Sequence, residues 1–250
     1  MAKYDLVRPS RDGDQFHYHW AARQCLGLLP SQGDLAAVTI EGASAVEGPG
    51  SVEEGEELID VGLYYGSEKL NEARCVRYIQ LKHSTRHAQE VWTASGLEKT
   101  IRGFAQRYAS LRKQYSVSEL KQKVRFEFTT NRLIESKLHE ALIDLASGVA
   151  ARRPKLRQTL VELTRLDESD AADFFQLFCA DGGEPGLWAQ RNLLAQDLNM
   201  YLAEADYDCP VQLKELVTRK ATTEFESNPS IRRHDVLRAL KVAGNDSVNP

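Results

Sequence analysis

Cysteine is scarce in this chain. Four residues, Cys25, Cys75, Cys179 and Cys209, are spread over 250 positions, and no two form a C-x-x-C pair. That spacing gives no disulfide framework and no structural zinc site, and it suits reduced, packed thiols. Long apolar runs are missing as well. No window approaches the roughly 18 to 20 apolar residues of a membrane-spanning helix, and the opening MAKYDLVRPSRDGDQ lacks the apolar stretch of a secretion signal. A cytoplasmic protein that does not enter a membrane is expected. No G-x-x-x-x-G-K-[ST] loop and no G-x-S-x-G elbow occurs, so neither ATP hydrolysis nor serine-hydrolase chemistry is expected. An excess of positive charge is also absent. The formal net charge is -4, which argues against a generally basic nucleic-acid binder.

The charge that is present is segregated. Residues 41 to 60 hold seven acids and no base; residues 99 to 125 hold eight bases and one acid, Glu119. Two solvated faces would produce this pattern, and so would a metal site beside a phosphate-binding surface. Hydrophobic residues make up 42% of the chain, which is enough for a core of one large or two small domains.

The apolar periodicity predicts a helix over 14 to 29, started by Asp14 and stopped by Pro30 and Gly33. Strands follow at 35 to 42, 57 to 66 and 75 to 84, joined as an antiparallel meander. A helix is predicted over 88 to 113, where Val91, Ala94, Leu97, Ile101, Phe104, Tyr108 and Leu111 step by threes and fours. A fourth strand at 123 to 131 then lies parallel to the third, because the helix supplies the crossover. After Asn131 only helices are read. The expected fold is α/β, with a core over 1 to 132, a helical annex over 133 to 242, and a tail or linker over 243 to 250.

The stretch VRYIQLKHSTR, 76 to 86, departs from a plain buried strand. Tyr78, Gln80 and Lys82 share one face, and Ile79 and Leu81 the other. The preceding strand offers Asp60 between Ile59 and Val61, and the first strand ends in Glu41. A buried carboxylate or lysine is costly unless it is paired. One solution is an Asp60–Lys82 cross-strand ion pair. The other is a cation site for phosphodiester hydrolysis, with hard oxygens from Asp60, the Gln80 amide and the Leu81 main-chain carbonyl, Glu41 nearby, and Lys82 set against developing negative charge. Glu56 and Glu57 compete as ligands. In FHYHW, His17 and His19 lie about 200° apart on a helix, so they do not chelate together; one of them, or Tyr18 or Gln15, is a candidate lining of the cleft. Lys99, Arg102, Lys121, Lys123 and Arg132 are the candidate contacts to nucleic-acid phosphate.

Asp, a connection, then Gln-x-Lys on the next strand resembles the PD-(D/E)XK nuclease signature. The segments GDQFHYHWAARQCLGLL, VTIEG, ELIDVGLYY, YIQLKHST and FEFTTNR, in that order, resemble the N-terminal double-stranded-DNA endonuclease domain of bacterial antiphage proteins. These include CBASS effectors and the STAND-type ATPases of AVAST systems. The resemblance is strongest over 10 to 132 and reaches IRRHDVLRAL near residue 240. It implies a restriction-endonuclease-like core that cuts double-stranded DNA with Mg²⁺ or Mn²⁺, with Asp60, Gln80 and Lys82 as the catalytic set. It further implies a fused sensor or NTPase region, absent from this chain, whose homo-oligomerisation activates the nuclease. A non-catalytic adaptor and an RNase of the same fold are the alternatives.

Overall fold

The structure, a computed structural model, describes residues 7–48, 55–202, 208–222 and 228–241. The middle of the acidic loop, the ends of two predicted helices at 203–207 and 223–227, and the 243 to 250 tail lie outside the described residues.

Helix α1 (Val7–Cys25) opens the fold and leads through a short 3₁₀ turn to β1 (Leu35–Ile40). It starts before Asp14, so Asp14 lies within the helix and does not cap it. Pro9 falls in the first turn, where the missing N–H costs nothing. Strands β2 (Val61–Tyr65) and β3 (Cys75–Lys82) complete the meander: Thr39 pairs with Gly62, and Gly62 with Tyr78, both antiparallel. Helix α2 (Glu98–Arg112) and the short α3 (Val117–Lys123) carry the chain to β4 (Val124–Thr130). There Gln80 pairs with Phe128 in parallel register, as the crossover argument expects.

Two further expectations are corrected. The helix predicted from residue 88 begins only at Glu98. The Trp92 backbone is instead bonded to that of Leu133 and Glu135, at 2.8 and 2.9 Å. This pairing, with Gly96 in the apolar pattern, overrides the helical periodicity. Strands also do not stop at Asn131. Helices α4 (Ser136–Ser147), α5 (Pro154–Thr164) and α6 (Glu168–Phe175) are followed by β5 (Phe178–Gly182), parallel to β4. After α7 (Leu187–Tyr201) and α8 (Cys209–Lys220), β6 (Ser230–Ile231) pairs with β1, and α9 (Arg233–Ala239) follows. The sheet order is β5-β4-β3-β2-β1-β6, so residues 133 to 242 supply both edge strands.

Each sheet face carries its own core. Tyr64, Tyr78, Phe126 and Phe128 pack under α2 and α4–α6, while Val38, Ile40, Leu63, Ile79 and Leu81 pack under α1 and α7–α9. The two charge blocks meet inside the first core. Glu47, from the acidic run, accepts from Arg107, of the basic run, at 3.0 and 3.1 Å and from the hydroxyls of Tyr64 and Tyr78. The Arg107 guanidinium lies over the Tyr78 ring. Segregated charge in the sequence is, at these two residues, a buried ion pair. Removing either partner would strand a charge at a cost of about 3–5 kcal/mol.

Candidate metal centre at the open end of the sheet

Glu41 leaves β1, Asp60 enters β2 and Lys82 leaves β3. Because β1 and β3 run antiparallel to β2, all three arrive at one end of the sheet. The Asp60 main chain is stitched on both sides: its carbonyl accepts from the Glu41 N–H at 2.9 Å, and its N–H donates to the Ile79 carbonyl at 3.0 Å. A 3₁₀ turn over Glu56–Leu58 delivers it. That turn leans on α2 through two glycines. Gly55 has φ +74°, and a Cβ there would lie 2.3 Å from the Gly103 carbonyl oxygen; a Cβ on Gly103 would lie 1.9 Å from the Leu58 side chain. Glu41 itself has φ +54°, an uncommon conformation for a non-glycine residue.

Three donors converge there. Ligand atoms of His17, Glu41 and Asp60 lie within 4.8 Å of one another. Asp60 Oδ2 accepts from the Leu81 N–H at 2.6 Å, and Oδ1 lies 3.9 Å from His17 Nδ1. The Leu81 backbone also bonds the His17 ring. Burial raises the Asp60 carboxyl to about 6, against the pull of Lys82 and the Leu81 N–H. Burial, then the charges of Asp60 and Asp14, raise Glu41 to about 7. Burial and Lys82 lower His17 to about 4. Near neutral pH the cluster therefore offers a neutral imidazole and two crowded carboxyls. A divalent cation would relieve that crowding, and the nitrogen donor would suit Mn²⁺ at least as well as Mg²⁺.

The sequence-derived residues divide. Asp60 and Glu41 join the cluster, the Leu81 peptide borders it, and exposed Lys82 acts on the charges of all three donors. Gln80 lies on the expected face, but it is 3% exposed and its Oε1 accepts from Thr100 on α2. Glu56 Oε1 accepts from the Ala43 N–H and pins the loop after β1, while Glu57 is exposed. His17 is a full member of the cluster, whereas the sequence offered it only as one of several cleft residues. Its signal was position: one helical step from buried Phe16, on the helix that faces the meander. Thr100 had no signal in the sequence, because its role depends on the register of α2 over β3. His83 stacks on Phe16, turned away from Lys82.

Most of the predicted phosphate contacts are engaged within the fold. Arg102 pairs with Glu98, Lys121 with Asp173 at 2.7 Å, and Lys123 with the carbonyls of Leu70 and Asn71. Arg132 donates to the carbonyls of Glu90 and Val91 and lies over the Trp92 ring. Lys99 is exposed.

No family model matches the chain, and no curated protein does. Among solved structures, it is similar to the Acinetobacter baumannii Cap4 SAVED/CARF-domain containing receptor with the cyclic trinucleotide 2′3′3′-cAAA. The identity is 15% and the TM-score 0.50, over 90% of this chain and 43% of that one. The same receptor with 3′3′3′-cAAA matches at 15% identity and TM-score 0.50, over 91% and 44%. The Moraxella osloensis Cap4 SAVED/CARF-domain containing receptor matches at 16% and 0.49, over 90% and 46%. The chain thus spans less than half the length of each of these proteins, and at such identity the likeness is one of fold.

Proposed function

We propose that this chain is a metal-dependent nuclease domain of a bacterial antiphage defence protein, cutting double-stranded DNA. The observation that carries the reading is the convergence of His17, Glu41 and Asp60 beside Lys82 at the open end of the sheet. A helix, a three-strand meander, a helical crossover and a parallel fourth strand supply the arrangement that the resemblance to PD-(D/E)XK nucleases implies. Mg²⁺ or Mn²⁺ held by the three donors would supply Lewis-acid polarisation of the phosphate and a more acidic water. The protein's own part is electrostatic and positional. The Lys82 ammonium would stabilise the negative charge that develops on the phosphate oxygens. Asp60, tied to the Leu81 N–H, is fixed before substrate arrives. Gln80, tied to Thr100, holds β3 against α2 and with it the position of Lys82.

Plasmid incubation tests this reading. Wild-type protein is expected to nick and linearise supercoiled DNA with Mg²⁺ or Mn²⁺ and to stop with EDTA; Lys82→Ala is expected to lose at least about 100-fold in rate. Equal cutting by Lys82→Ala would overturn the assignment of Lys82.

The solved neighbours with a TM-score of 0.50 favour a second reading. Both are of a receptor with a cyclic trinucleotide. On that reading this chain is a non-catalytic ligand-binding or adaptor domain. Calorimetric binding of 3′3′3′-cAAA, together with no cleavage of DNA or RNA, would favour it. Metal-dependent cleavage of RNA but not DNA would make the chain an RNase of the same fold.

A further inference from the structure

Strands β3, β4 and β5 are parallel, so their carboxyl ends open on the same side as the metal centre. Ligands of open α/β sheets bind in the crevice beyond such ends. A cleft of about 430 Å³ lies there, walled by the segments that leave all three strands. His83, Ser84 and Thr85 follow Lys82 in the chain. Asn131, after β4, clamps the Ser84 backbone with two 2.9 Å bonds, which makes this wall rigid. The far wall is the start of α7, where Trp188 is 73% exposed. Of the three tryptophans in the chain, Trp20 is buried and Trp92 is half-buried between Phe128 and Arg132. The Arg191 guanidinium lies 5.7 Å from the Trp188 ring centroid, and it makes no ion pair among the described residues. The acid on the wall, Asp12, accepts from the Thr85 hydroxyl at 3.1 Å.

We infer that this cleft holds an unpaired nucleotide of the substrate strand next to the phosphate being cut, its base stacked on Trp188 and its backbone met by Arg191 and the Ser84 hydroxyl. The inference deepens the nuclease reading and rests on it. It implies that the preferred substrate carries an unpaired base at the cut, as at a flap or bubble. An exposed aromatic ring beside an arginine is the usual platform for single-stranded nucleic acid. His83, which lines the cleft, is the residue next to Lys82 in the chain, so the cleft begins one residue beyond the proposed catalytic lysine.

The test uses the whole 250-residue chain and a 12-nucleotide oligothymidylate in EDTA, followed by tryptophan emission and by anisotropy of an end-labelled oligonucleotide. Wild-type emission should be quenched on binding. Trp188→Ala should lose the quench and bind about tenfold more weakly, and Trp188→Phe should recover most of the affinity. Because the ring is exposed, both variants should melt with the wild type. With Mg²⁺, a duplex bearing a flap should be cut faster than a fully paired one, and Trp188→Ala should remove that preference. Unchanged binding by Trp188→Ala would overturn the inference, as would quenching by AMP equal to that by the oligonucleotide, which would mark a self-contained nucleotide pocket. If Lys82→Ala abolishes cutting while Trp188→Ala changes neither binding nor substrate preference, the strand site falls and the nuclease reading stands. If quenching depends on Trp188 but no variant cuts any substrate, the nuclease reading falls and the strand site stands.

Discussion

On the proposed reading Asp60, Glu41 and His17 set the chemistry at the scale of single residues, and their titration makes the cluster measurable without substrate. Glu41 and Asp60 sit above their ordinary values of 4.5 and 3.8, at about 7 and about 6, first through desolvation; Glu41 keeps an exposed face, so the neighbouring charges of Asp60 and Asp14 are the firmer cause of its shift, while Asp60 is largely covered. The fold therefore holds protons that the unfolded chain has already released. From about pH 4.5 to 7 these two groups cost the metal-free fold stability as pH rises. His17 acts in the opposite sense between its ordinary 6.5 and about 4, because burial keeps the ring neutral while the unfolded chain binds a proton. Two carboxyls outweigh one imidazole, so a net loss with rising pH is expected from the cluster. Melting temperatures in EDTA from pH 5 to 8 should show Glu41→Gln losing less than wild type and melting above it at pH 8. Parallel curves for the two proteins would contradict the crowding of the carboxyls.

The placement of these residues is decided at the scale of elements. The 3₁₀ turn that carries Asp60 rests on α2 through Gly55 and Gly103. Gly55→Ala meets backbone from a positive φ, whereas Gly103→Ala meets the movable end of Leu58. Both should destabilise by about 1–3 kcal/mol, Gly55→Ala the more, as read from urea unfolding; the reverse order would contradict this contact. Period-two alternation made β1 to β4 legible, and with them the shared face of Tyr78 and Gln80 and the approach of Asp60 to β3. β5 was not legible. Its five residues follow the aromatic run of α6, and FFQLF reads equally well as one more helical turn. The helix read from residue 88 failed because the Trp92 main chain found a partner across the sequence, at Leu133 and Glu135, which no local pattern records. Gln80 was placed on its face correctly, yet its bond to Thr100 depends on how α2 lies over the sheet.

On the proposed nuclease reading, charge governs DNA binding at the scale of the molecule. The net charge is -4, and the basic run from Lys99 to Arg125 is largely committed: Arg107 is buried against Glu47, Lys121 is paired with Asp173, and Arg125 is bonded to main-chain carbonyls. Attraction for DNA should be weak and salt-sensitive, and one cluster attacks one strand at a time. Fusion of residues 1 to 250 to an inducible dimeriser should therefore speed plasmid linearisation at fixed protein concentration by raising the effective concentration of sites. Equal rates with and without the inducer would remove oligomerisation from the account. The claim beneath all of these expectations is that three strand ends and α1 build a site for a divalent cation. Calorimetric titration of Mn²⁺ into the wild type and Asp60→Ala at pH 7.5 tests it most directly. The account predicts saturable binding by the wild type that is lost in a folded Asp60→Ala protein; binding that is identical in the two proteins would contradict it.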